Sequence, residues 1–86
     1  MAQWHFPLIN PVVHYPLEHY LEHLLEEIEE FKDETDDEKK RQEALDVLHA
    51  AETLVRKYFE RTSGDTFMQV KNRVIAKNLN RGYYTR

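Results

Sequence analysis

The sequence predicts an all-α domain, on three observations. Apolar residues recur at helical spacing over three segments, and no segment alternates with the two-residue period of a strand for long enough to count. Glycine and proline fall only between or outside those three segments. At 86 residues the chain suffices for one domain and not for two. A lone core of that size is marginal, so the expected architecture is an antiparallel helix hairpin plus a third helix, completed as a bundle by homo-oligomerisation.

Residues 1–16 hold all three prolines (Pro7, Pro11, Pro16), with Trp4, Phe6, Leu8, Ile9, Val12, Val13 and Tyr15 between them. Proline at this density prevents a helix, while the apolar content argues against simple disorder. An extended arm laid across its own subunit or a partner is expected. Pro16 suits the first turn of a helix. Leu17–Phe31 then shows one apolar stripe of Leu17, Tyr20, Leu21, Leu24, Ile28 and Phe31. At about 100° per residue, Glu27 lies at the edge of that stripe, with His23, Glu30 and His19 further round on the same side. Glu26 points directly away from the core, and Glu18, Glu22 and Glu29 fall on the other side.

KDETDDEKK carries no apolar residue and reads as a short connector. Thr35 with Glu38 three residues on forms a capping-box pattern, so the second helix is expected to start near Asp36. It continues without Gly or Pro to about Arg61 (residues 17–61 form the hairpin). Its apolar residues, from Ala44 and Leu45 to Tyr58 and Phe59, cover more than half the circumference. One partner helix cannot cover so wide a face, which makes this helix central or shared between subunits. Glu43 borders the apolar arc, and Asp46, Ala50, Thr53 and Lys57 continue down the polar side. Ser63-Gly64-Asp65 is expected to end this helix and cap a third, from Thr66 to about Arg81, within a basic C-terminal unit over 65–86. Gly82 is a natural stop.

Charge is distributed unevenly. Residues 1–60 hold 15 acids against 6 Lys/Arg, and residues 61–86 hold 1 acid against 6 Lys/Arg. The acidic two-thirds would repel a polyanion, so no nucleic acid polymer is expected as a partner. With no cysteine there is no disulfide framework, thiolate zinc site or cysteine nucleophile. The N-terminus lacks the features of a secretory leader, and the apolar runs are too short to span a bilayer. A cytoplasmic protein without a membrane partner is the expectation.

Two carboxylate pairs at i,i+3 spacing could carry chemistry: Glu27 with Glu30, and Glu43 with Asp46. Residues three apart share a helix face. Each pair borders an apolar stripe, and the connector is short enough to force an antiparallel hairpin. Charge runs on helices ordinarily face water. Four clustered carboxylates, however, would repel strongly unless a cation neutralised them, and magnesium, a hard cation, takes oxygen ligands.

EEIEE followed by EALD resembles the ExxE–spacer–ExxD signature of the MazG-like all-α nucleoside triphosphate pyrophosphohydrolases. LLEEIEEF and EALDVL are similar to the hydrophobic frame of those motifs, and KNLNRGYY to the C-terminal ends of small phage-type members. A proline-broken arm stands where the family usually has another helix. The resemblance selects the same four carboxylates, Glu27, Glu30, Glu43 and Asp46, as metal ligands for magnesium (Mg2+), with manganese (Mn2+) as its substitute. It implies cleavage of a nucleoside triphosphate substrate between the α- and β-phosphates, with Glu27 or Glu30 as catalytic base. Lys57 on the second helix, and Lys77 and Arg81 on the third, are the candidate substrate-binding cations, from the same subunit or from the neighbour in a homodimer or homotetramer.

Two rivals stand beside that reading. His19, His23, Asp46 and His49 could form a mixed set for manganese, zinc or iron, but the helical wheel puts His49 on the opposite flank from Glu43. The other rival is a non-catalytic helical homo-oligomeric interaction or regulatory protein whose acids are a solvated or partner-binding face.

Overall fold

Proline at position 16 sets the start of the first helix. In a computed structural model describing residues 4–7, 9 and 15–84, α1 spans Leu17–Asp33, α2 Asp37–Arg61 and α3 Phe67–Asn80, with no strand among the described residues. The expected arm over residues 1–16 is described only at 4–7, 9, 15 and 16; its other positions, with Thr85 and Arg86, lie outside the described residues. No helix is long and apolar enough to cross a membrane among the described residues.

Pro16 takes the N-cap, one position before the expected first turn, with ψ 159°, and its carbonyl accepts the His19 N–H at 3.0 Å. At the far end the Glu34 N–H donates to the Glu30 carbonyl at 3.1 Å. The Glu34 backbone then turns extended, and its carboxylate accepts the N–H groups of Thr35 and Asp36 at 3.2 and 3.0 Å. Asp36, not Thr35, caps α2, its Oδ2 accepting the Lys39 N–H at 2.9 Å. A carboxylate at this position answers both the unpaired N–H groups and the positive helix end, and Asp37 and Glu38 follow in the first turn.

The three-residue connector reverses the chain. Lys40 lies 4.7 Å over the Phe31 ring, and Arg61 5.6 Å over that of Tyr20, so contacts run up α1 as they run down α2. This is an antiparallel hairpin. Its interior differs from the one the apolar pattern predicts. The side of α2 turned into the hairpin is the line through Ala50 (4 % exposed) and Lys57 (5 %), expected to be polar, while Leu45 and Tyr58 of the apolar arc stay more than half exposed.

The cap of α3 is likewise shifted. Thr66, not Ser63–Asp65, is its N-cap, in a reciprocal capping box: Gln69 N–H donates to Thr66 Oγ1 at 3.2 Å and Thr66 N–H to Gln69 Oε1 at 2.8 Å. At the other end Gly82, at φ 73°, donates to the Leu79 carbonyl at 3.0 Å while Tyr83 donates to that of Asn78 at 3.0 Å. Those are the two bonds of a Schellman motif, and the left-handed residue it needs is the glycine. Phe67 anchors α3, its ring 5.7 Å from Phe59 of α2 and 4.6 Å from Trp4 of the arm.

The arm docks on the flank of α2 through one carboxylate. Glu52 accepts the backbone N–H of His5 at 2.9 Å and that of Phe6 at 3.1 Å, and it meets the His5 imidazole at 2.5 Å. Arg56 returns a bond to the Phe6 carbonyl at 3.2 Å and lies 4.9 Å over the Trp4 ring. Phe6 stacks on His49 at 4.7 Å. The described part of the arm therefore crosses its own subunit.

Candidate metal centre

The i,i+3 spacing puts Glu27 and Glu30 on one face of α1, and the hairpin sets Glu43 against them. One carboxylate oxygen from each of the three lies within 4.8 Å of the others. Glu27 and Glu43 are half-buried and Glu30 is exposed. Oε2 of Glu27 and Oε2 of Glu43 are shut off from solvent with no hydrogen-bond partner. Buried polar atoms are nearly always paired, so two orphans in one cluster call for a water, a proton or a cation between them.

The electrostatics follow from that crowding. Burial, then the neighbouring Glu30, raises the carboxyl pKa of Glu27, with Asp46 adding to the rise and His23 opposing it. Burial also raises that of Glu43, followed by the charges of Glu30, Asp46 and Glu34. His23 Nε2 stands 3.6 Å from Glu27 Oε1. Glu27 and Glu43 hold a proton more tightly than they would in water, first because burial disfavours the charged form and then because their neighbours are negative. A divalent cation would relieve the same repulsion.

Asp46 falls outside the group of three, exposed, one turn beyond Glu43. It lines instead a cavity of about 390 Å3 shared with Glu27, His19, His23, His49 and Tyr15. The wheel separates His49 from Glu43, but the cavity spans that separation because the arm supplies its outer wall: Ile9 and Tyr15 line it, and Phe6 stacks on His49 from outside. Among the described residues no group of three ligand atoms includes a histidine. The mixed histidine set therefore shares a cavity without forming a ligand cluster.

None of the three expected cations lines this cavity. Lys57 is buried with its Nζ 3.5 Å from Glu60, and Lys77 and Arg81 are exposed on α3 and at its C-cap. The cation that reaches the cavity wall is Arg61, which donates to the Tyr15 carbonyl and covers the ring of Tyr20. Its signal in the sequence was faint: it stands one turn beyond Lys57 at the end of α2.

The carboxylates suit a hard divalent ion. An octahedral shell at about 2.1 Å sets neighbouring ligand oxygens about 3 Å apart and opposed ones about 4.2 Å apart. Oxygens within 4.8 Å of one another would have to draw together, by up to about 2 Å for a neighbouring pair, to complete such a shell. All donors are anionic oxygens, the type magnesium and manganese prefer. Comparison of the chain with protein-family models, with curated proteins and with solved structures finds no match in any of the three.

Proposed function

We propose that this chain is a magnesium-dependent nucleoside triphosphate pyrophosphohydrolase, converting an NTP or dNTP to its monophosphate and pyrophosphate. The observation that carries the reading is the meeting of Glu27, Glu30 and Glu43 within 4.8 Å beside a cavity of about 390 Å3. A small-molecule site of that volume is ordinary. The resemblance of EEIEE and EALD to the MazG-like motifs supplies the reaction class. In this reading the chain works as a cytoplasmic homodimer or homotetramer.

Glu27, Glu30 and Glu43 would hold the ion, with Asp46 adding negative charge from the cavity side. Bound there, a divalent cation neutralises phosphate oxygens and lowers the pKa of water. The chain's own contribution is position and proton transfer. Water attacks the α-phosphorus, its proton passes to the buried Oε2 of Glu27, and the bond to the bridging oxygen breaks to release pyrophosphate. Burial raises the proton affinity of Glu27, which makes it a better base than an ordinary carboxylate. His23, beside Glu27, is placed to take that proton onward. The stacked pair Tyr15 and His19, at 3.9 Å, offers the cavity an aromatic wall for a base.

Release of monophosphate and pyrophosphate across a panel of NTPs and dNTPs tests the proposal. Turnover with magnesium or manganese is expected, with a loss of at least ~100-fold on Glu43→Gln. No turnover with either ion sinks it. One observation favours the non-catalytic alternative, an interaction or regulatory protein: no Lys or Arg lines the cavity among the described residues to meet a triphosphate. Calorimetric titration of magnesium with a non-hydrolysable nucleotide separates the two, because the alternative expects no heat.

A further inference from the structure

We propose that the face of the hairpin opposite the cavity is where a second copy of this chain docks, about a two-fold axis parallel to the helices. This rests on the oligomeric part of the reading above and not on its chemistry. Helical phase fixes the face. His19, His23 and Glu27 leave α1 on the cavity side, and Asp46, His49 and Thr53 leave α2 on that same side. The other side presents Leu21 (45 % exposed) and Leu25 (53 %) from α1, and Leu48 (38 %) and Tyr58 (54 %) from α2. It continues into an apolar groove between α2 and α3, about 250 Å3, lined by Val55, Phe67, Val74 and Ile75.

A single copy leaves its core unfinished. Among the described residues the buried hydrophobic set is Tyr20 and Ala50. The Cα radius of gyration is 15.1 Å, where a compact domain of this length has about 12 Å. Of the apolar arc of α2, Val55 and Phe59 are half-buried beside α3, while Leu45, Leu48 and Tyr58 stay exposed.

Charge names the occupant. Beyond Leu25 the α1 margin of the face carries Glu18 and Glu22, with Glu29 paired to Lys32 at 3.5 Å, whereas α3, at the opposite margin, contains no acid and sets Lys71 beside the groove. Two in-plane two-fold axes can pair such a face with itself. An axis across the helices would lay acidic margin on acidic margin. An axis along them lays the α1 margin of each copy on the basic α3 margin of the other, so the face complements its own copy.

Sedimentation velocity with charge-swapped variants tests this. Wild type is expected at twice the 10.4 kDa chain mass. Leu25→Glu should weaken association by more than about 100-fold with helical circular dichroism retained, since Leu25 is exposed. Glu22→Lys and Lys71→Glu should each weaken it about tenfold. An equimolar mixture of those two variants should regain wild-type affinity, because every cross-copy pair is then of opposite sign. A wild type that stays monomeric at all concentrations overturns the oligomeric reading itself. A dimer that survives Leu25→Glu overturns this face, and a mixture that fails to regain affinity overturns the axis.

Discussion

Replacing Glu52 with glutamine should release the N-terminal arm. The Glu52 carboxylate accepts N–H groups of His5 and Phe6 at 2.9 and 3.1 Å and meets the His5 imidazole at 2.5 Å, with its side chain 12 % exposed. Glutamine keeps one acceptor and turns a donor toward groups that themselves donate. Hydrogen bonds to a charged acceptor contribute about 1.5–3 kcal/mol each. Losing the charge and one partner while keeping some packing costs about 2–3 kcal/mol, or roughly a 30- to 150-fold shift in arm docking. The probe is built in, because Trp4 is the chain's one tryptophan and sits 4.6 Å from Phe67 under the Arg56 guanidinium. Glu52→Gln should move Trp4 emission to the red and open it to iodide quenching, while Glu26→Gln, at an exposed position on α1, leaves both unchanged. Unaltered emission and quenching in Glu52→Gln would refute the account of how the arm is held.

Stability should peak in mildly acid solution. The carboxyls of Glu27 and Glu43 lie above their ordinary 4.5 in the folded chain, so their contribution is full below about 4.5 and is lost as pH rises through the raised values. Burial pushes Glu52 up, but the His5 and Phe6 N–H groups and the His5 side chain outweigh it and hold Glu52 below 4.5; its contribution is present above that pH and lost as pH falls through the depressed value. Melting temperature should therefore rise as pH falls from neutral toward 4.5 and drop again below it, and a profile with no rise on the approach to 4.5 would contradict the crowding. At pH 7, magnesium at 100 times its Kd should add about 2.7 kcal/mol, roughly 10–20 °C in Tm for a domain of this size. EDTA should reverse that gain, and Glu43→Gln should melt higher than wild type without metal yet gain little from it. A melt indifferent to magnesium and EDTA counts against convergence of the carboxylates.

The elements were legible in the sequence because each rests on local chemistry. Leu17–Phe31 carries one stripe of ordinary width, and the wheel alone separates Glu27 and Glu30 from the outward-facing Glu26 and Glu29. The sides of α2 were harder to read. Its apolar arc is wider than any one helix can cover, so periodicity could not say which edge meets α1, and the structure puts Ala50 and Lys57 there. A lysine at that position reads as solvated, yet its four-carbon stem packs in the hairpin while its charge pairs with Glu60. The cavity was invisible for a different reason. Its outer wall comes from a proline-broken arm that has no period, and the contact of Phe6 with His49 spans more than 40 residues. Asp46 illustrates the limit of spacing alone: three residues from Glu43, it borders the cavity without joining the carboxylate group.

The connector between α1 and α2 has a consequence for how the carboxylates stay in register. Glu34, Thr35 and Asp36 spend their polar groups on one another and on the adjoining helix ends, through the Glu34 carboxylate, the Glu34 N–H and the Asp36 cap. The connector therefore acts as a gauge block, setting how far down α2 a residue must lie to face Glu27 and Glu30. Register survives when the acids change, so neutral side chains at 27, 30 or 43 would leave the same hairpin with its repulsion gone and a quieter surface. One inserted residue in the connector would do the reverse, keeping every acid while advancing α2 by about 100° of helical phase. Substitution of the acids would thus keep the scaffold without the carboxylate cluster, whereas a longer turn would keep the acids and part them.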